Sequence, residues 1–160
     1  MRSAVIREFF AGRATAAELQ ADASGAFDRH TDSAGTVFSR LRMIPMEGEF
    51  QVAPEHLIAL IDAVLEGAVD LEALDAIMFA LDVADGFMWD ADTEAGDRVA
   101  EALGLLGVPE INFPLTPIVL RKIRHLLETG EETFDASDRR PPGPRPHLVS
   151  ERRWDRDADV

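Results

Sequence analysis

The chain has 160 residues, 46% of them hydrophobic, no cysteine and a formal net charge of −14. That length suits one domain with room for a tail, and the apolar share is enough for a core. Without cysteine there is neither a disulfide framework nor a thiolate zinc site; with no apolar run near the roughly 18 residues a span requires, no membrane crossing is expected. The opening "MRSAVIREFFAGR" carries Arg7 and Glu8 inside its apolar stretch, so it reads as a helix rather than a secretory signal. The missing cysteines fit a reducing cytoplasm, and the bias toward Arg and Ala is that of a GC-rich bacterial genome.

In chain order, residues 3–11 make a first helix with Val5, Ile6, Phe9 and Phe10 on one face and Gly12 as its stop. "TAAE", from Thr15 to Glu18, is a capping box. The helix it opens uses Leu19, Ala23, Ala26 and Phe27 as its inner face, and "TDSAGT" breaks it at 31–36. "VFSRLRMI" is read as a short helix in preference to a strand. "APEHLIALIDAVLEG" sets Pro54 in the first turn and Gly67 past the end, with Leu57, Ile58, Leu60, Ile61, Val64 and Leu65 on one stripe. "VDLEALDAIMFALDVADG" follows after a very short link that makes the two helices antiparallel neighbours. Asp70 caps it, Leu71, Leu74, Ile77, Met78 and Leu81 face inward, and Glu72, Asp75 and Asp82 face out. "TEAGDRVAEALGLLG" turns Val99, Ala100, Leu103 and Leu106 inward and stops at Gly107. The last helix, "LTPIVLRKIRHLLETG", has Thr116 as cap, Pro117 in its first turn and Gly130 after its end. Its Arg121, Lys122, Arg124 and His125 lie toward the C-terminus, where the helix dipole favours cations. Only "EFQVAP" (49–54) and "EINFP" (110–114) are strand candidates, pairing at most as a minor ribbon. From 133 the composition turns Pro- and Arg-rich, with Leu148 and Trp154 as candidate anchors for an extended tail.

The expected fold is therefore all-α: a bundle of five or six short helices over residues 1–132, with at most a minor two-stranded ribbon, and a Pro/Arg-rich tail over 133–160. The charge is unevenly placed on it. Residues 1–44 are nearly neutral and 111–160 balance, whereas 45–110 carry sixteen acids and one base, Arg98. Such a field repels phosphate backbones and attracts basic proteins and cations. No nucleic-acid partner is expected.

"ADGFMWDADTEAGD" (84–97) concentrates this charge. From Asp90, the acids Asp90, Asp92, Glu94 and Glu101 stand at calcium-loop positions 1, 3, 5 and 12, but the glycine such a loop needs at its sixth position falls one place late, at Gly96. The stripe Val99, Leu103, Leu106 makes 93–106 a helix, which carries Glu101 away from Asp90. The stretch reads instead as a helix-to-helix turn, capped by Asp90, Asp92 or Thr93, with Glu94 and Asp97 in the first helical turn. No metal or cofactor is expected. His30, His56, His125 and His147 are scattered, and no nucleophile elbow, zinc-protease motif or phosphate-binding loop is present. The chain does not read as an enzyme.

Protein binding fits better. The outer faces of three successive helices would make a broad negative surface, and Phe87, Met88 and Trp89 fall in the turn between two of them. Aromatics and Met are enriched at interface cores, and a charged rim steers a partner of opposite sign. Phe87 and Trp89 have a second reading as plugs for the end of the bundle. The candidate contact residues are Asp75, Asp82, Asp85, Met88, Trp89, Asp90, Asp92 and Glu94.

"IREFFAGRATAAELQAD" resembles the opening of the small helical immunity proteins of bacterial toxin systems, colicin-type ones especially. There a short helix ending in a small residue leads through Thr or Ser into a Glu-containing second helix. "FALDVADGFMWDADTEAGD", and later "INFPLTPIVLRKI", are similar to that family's acidic inter-helix segment and final helix. The pieces are scattered over roughly two-thirds of the chain. The resemblance implies tight binding and inhibition of a cognate toxin, often a basic nuclease. The Pro-rich tail departs from the family, and no toxin-contacting residue carries over by motif. The expected function is an acidic, cytoplasmic module that occludes a basic protein partner, immunity-like in type. The alternative is a helical adaptor or regulatory subunit that binds through an apolar groove, its acidity serving only solubility.

Overall fold

The structure, a computed structural model, describes residues 1–109, 111–139 and 147–148. Among the described residues, most of the regular structure lies in six helices: α1 (Ser3–Phe10), α2 (Ala16–Ala23), α3 (Pro54–Leu65), α4 (Leu71–Val83), α5 (Glu94–Gly107) and α6 (Pro117–Thr129). Their ends follow the capping chemistry of the sequence. The Thr15 hydroxyl accepts the Glu18 N–H, while the Glu18 carboxylate accepts the Thr15 N–H at 2.7 Å. Asp70 caps α4 through the Ala73 N–H, and Thr116 caps α6 through the Val119 N–H. Pro54 and Pro117 occupy first-turn positions, where their missing N–H costs no helical bond. Gly130 ends α6 with φ 77°, a left-handed conformation that favours glycine.

α3 packs on α5 and α6, α5 also on α4 and α6, and α2 joins α1 to α4. The interior between them holds Leu57, Leu60 and Ile61 of α3, Leu74, Ile77 and Leu81 of α4, Leu106 of α5 and Ile123 of α6. Each such side chain contributes about 1.5–3 kcal/mol on burial. Arg124 bridges α6 to Asp62 of α3 at 2.7 Å and to Glu128 on its own helix. Among the described residues, no helix is long and apolar enough to cross a membrane.

The structure is mostly helical, but a bundle with one minor ribbon understates its β content. α2 stops at Ala23, and Phe27, expected on its inner face, opens a strand instead. β1 (Phe27–Thr31) and β2 (Thr36–Leu41) form an antiparallel hairpin, so the short helix expected over "VFSRLRMI" is not formed. The reason lies in its turn. The Asp32 carboxylate accepts the Ala34 and Thr36 N–H groups at 2.9 and 2.8 Å, and Gly35 takes φ 82°. That is a hairpin turn built from an Asp and a Gly, not a helix stop. β5 (His147–Leu148), in the segment assigned to the tail, adds to β2 in parallel. Trp154 lies outside the described residues. Phe134 stacks on Phe113 with centroids 4.5 Å apart. The following 3-10 turn (Ala136–Asp138) is clasped to α6 by Lys122, whose ammonium donates to Asp138 at 2.6 Å and to Asp135 at 3.2 Å.

The expected ribbon exists with a different partner. β3 (Phe50–Gln51) pairs in parallel with β4 (Phe87–Met88), not with the segment after Val108. Residues 111–114 form a turn and an irregular stretch. Leu71, expected inside, is 49% exposed at the first position of α4, and α3, expected to lie against α4, packs on α6 and α5 instead.

Candidate functional site

Between α4 and α5 the chain is neither a simple helix-to-helix turn nor a loop. α4 ends at Val83, and three residues later Gly86 runs close under the 46–48 segment. A Cβ there would stand 3.0 Å from the Gly48 carbonyl and 2.9 Å from the Met46 methyl. That close approach admits β4, held by two backbone bonds: the Phe50 N–H to the Gly86 carbonyl at 2.8 Å and the Val52 N–H to the Met88 carbonyl at 2.7 Å. Strand alternation then sorts the apolar trio. Phe87 points inward, 4% exposed, its ring edge-on to Phe50 at 6.5 Å; Met88 points outward, 43% exposed. Trp89 is half-buried against the margin of the core.

After Trp89 the chain folds over the first turn of α5. The Asp90 carbonyl accepts both the Thr93 N–H at 3.0 Å and the Thr93 hydroxyl at 2.7 Å. The same hydroxyl oxygen accepts the Gly96 N–H at 3.0 Å. Thr93 is thus the cap, and the Asp90 carboxylate instead steadies the turn by accepting the Asp92 N–H at 3.1 Å. Thr93→Ala is expected to cost about 1 kcal/mol in urea unfolding, with Thr93→Ser recovering most of it. An equal loss in both variants would contradict the cap.

The glycine that comes one place late for a calcium loop has a different job. The Asp90 backbone lies directly on Gly96, where a Cβ would stand 1.9 Å from the Asp90 carbonyl oxygen. Glu101 rides on α5, two turns past the loop. Among the described residues, no three His, Asp or Glu side chains converge as a cation's ligands would.

Asp82, Asp85, Asp90, Asp92 and Glu94 are exposed, and they stand with Met88 and Trp89 on one short stretch of chain. Asp75, two turns back on α4, is half-buried. Among the described residues, no basic side chain pairs with any of those five exposed acids. Arg98, the one base between 45 and 110, is spent on backbone: it donates to the Glu94 carbonyl at 3.2 Å and the Glu128 carbonyl at 3.1 Å, fastening α5 to the end of α6. Two turns along α5 from Glu94, burial and then the nearby Glu132 and Asp97 carboxylates push the Glu101 carboxyl up. Negative charge here is crowded on itself rather than balanced locally.

No family model, no curated protein and no solved structure matches the chain.

Gly96 and the pairing of the Phe50–Gln51 strand position this surface; the sequence marks 49–54 as a strand candidate but shows neither its partner nor the role of Gly96. A glycine in the first turn of a helix looks like a weak helix former, and only the fold shows what passes over it. The pairing of 50–51 with 87–88 joins segments separated by two whole helices.

Proposed function

We propose that the protein is an acidic protein-binding module that occludes a basic protein partner, in the manner of an immunity protein that inhibits a toxin. The observation that supports this is the 82–94 surface: five exposed carboxylates without basic partners among the described residues, set around an outward Met88 and a half-buried Trp89. A surface whose role is only solubility needs no fixed geometry. This one is held by a parallel ladder, a threonine cap and a backbone-on-glycine contact.

The mechanism is substrate mimicry. Carboxylates occupy the basic groove where phosphates would lie, and Met88 or Trp89 fills a desolvated pocket at the centre. Charge then sets the rate and the specificity of encounter, and the apolar anchor slows release. The same charge disfavours nucleic acid as a partner. No cofactor and no catalytic step enter this reading, and the compartment is the cytoplasm.

The test expresses the open reading frame beside this gene, with and without this protein. A toxic basic product neutralised by co-expression supports the reading. The complex should weaken by about tenfold or more when Asp90 and Asp92 are both changed to Lys, and it should weaken with salt as exposed charge pairs do. A complex indifferent to salt and lost on Met88→Ala or Trp89→Ala would replace the occlusion reading with the apolar-groove adaptor. A metabolic operon with no such product would sink the immunity form.

A further inference from the structure

His56 stands at the third position of α3, where its ring closes a cluster drawn from four elements. It stacks on Phe10 of α1 at 5.2 Å and meets Phe50 of β3 at 5.0 Å. Phe50 in turn meets Phe87 of β4 edge-on. The imidazole is not a passive ring in this stack. Its Nδ1 accepts the Ala53 N–H at 2.9 Å, satisfying a backbone donor just ahead of α3 that has no helical partner. That bond assigns the tautomer: Nδ1 carries the lone pair and Nε2 the hydrogen.

Only the neutral ring can do this. A protonated imidazole has a hydrogen on both nitrogens, so Nδ1–H would face Ala53 N–H, donor against donor. The faces of Phe10 and Phe50 return some attraction to a cation, but they cannot supply the lost acceptor. The charged groups on the surrounding elements do little to rescue it. Glu8 of α1 is held by Arg13, with Arg7 3.5 Å away, and Arg7 reaches the Glu47 carbonyl ahead of β3. Glu49 is exposed beside the strand. Glu55, adjacent on α3, favours the cation, yet burial outweighs it and holds the imidazole below its ordinary value.

We propose that His56 is a proton-operated latch on the β3–β4 ribbon, closed when the ring is neutral and opened when protonation turns it out of the cluster. Turning it out ends the cap on α3 and removes the ring against which Phe50 rests. Phe50 anchors the strand that holds β4, so Met88 and the turn after it lose their mounting. As a control on partner binding, the latch rests on the binding face proposed above, and acid would release the partner.

The sign follows from the lowered folded value. The unfolded or opened chain binds more protons between the folded value and about 6.5, so closure is complete above about pH 6.5 and is lost as pH falls below it.

The test is amide hydrogen exchange on the whole chain, corrected for intrinsic rate, at about pH 7.5 and about pH 5. The Phe50 and Val52 amides, which donate to the Gly86 and Met88 carbonyls, should lose about tenfold in protection in acid, because the open ring takes up a proton that the closed ring resists. The Ile77 and Leu81 amides of α4 should hold. His56→Asn keeps an acceptor oxygen near the Nδ1 position without titrating, so its ribbon should stay closed at both pH values. An acid-insensitive ribbon in the wild type overturns the latch. So does an equal acid loss in His56→Asn, or a loss shared evenly with α4. Should the variant fail to fold, the wild-type His56 ring resonance decides: titration at an ordinary value without a concurrent change in the ribbon also overturns it. None of these measurements uses a partner, so a failed latch and a failed binding face remain distinct results.

Discussion

Gly96→Ala is expected to destabilise the protein by at least about 2–3 kcal/mol and to move the Asp90–Thr93 turn off α5. Two effects oppose each other. Alanine is the better helix former by about 1 kcal/mol, and Gly96 lies in the first turn of a helix. Against that, the new methyl would stand 1.9 Å from the Asp90 carbonyl oxygen and 2.4 Å from its carbon. Both are backbone atoms, which cannot swing aside as a side chain does, so the clash wins. Gly104 is the matched control. It sits in the interior of the same helix with nothing within 4 Å of its missing Cβ. Gly104→Ala should therefore stabilise by about 0.4–1 kcal/mol. Urea unfolding of the two variants reads both numbers, and a neutral or stabilising Gly96→Ala would show that the turn does not lie on the helix.

Phe87→Ala is expected to cost about 3–5 kcal/mol, the usual loss for emptying a buried aromatic site. The size is notable because the strand that carries Phe87 has two residues. Its neighbour on the same strand gives the contrast. Met88 faces outward, and Met88→Ala should stay within about 0.5 kcal/mol. If the two substitutions cost the same, the alternation that turns one inward and the other toward solvent is wrong. In binding assays the order should reverse, with Met88→Ala weakening the complex while leaving the fold intact.

What was legible in the sequence is what is local. The helices announce themselves through Thr15 with Glu18, Pro54 with Gly67, Asp70, and Thr116 with Pro117 and Gly130, each acting within one turn of its own position. The hairpin at 27–41 was hidden because its residues are polar and its one clear signal, Asp32 with Gly35, also reads as a helix break. The β3–β4 pairing was hidden for another reason. "EFQV" looks like a strand, but its partner Phe87–Met88 is too short to show a pattern and lies beyond two helices. The acidity of 82–94 was plain in the composition. That Phe87 goes in, Met88 out and Gly96 beneath Asp90 depends on backbone approach, which no spacing rule reports.

The parallel ladder has a consequence for how the chain assembles. Phe50 and Phe87 are 37 positions apart, and only two residues on each side hold the pairing. Closing a ring of that length costs more conformational freedom than so short a ladder recovers by itself. The helix packing of α3 on α5 and α6, and of α4 on α5, must therefore form first and bring the ends together. Leu60, Ile61, Leu74 and Ile77, buried in the common core of those helices, are suited to that. Local helix pairing is fast and the distant strand contact slow. The segment that carries Met88 and the acidic turn should then be among the last to settle during folding and among the first to open under denaturant.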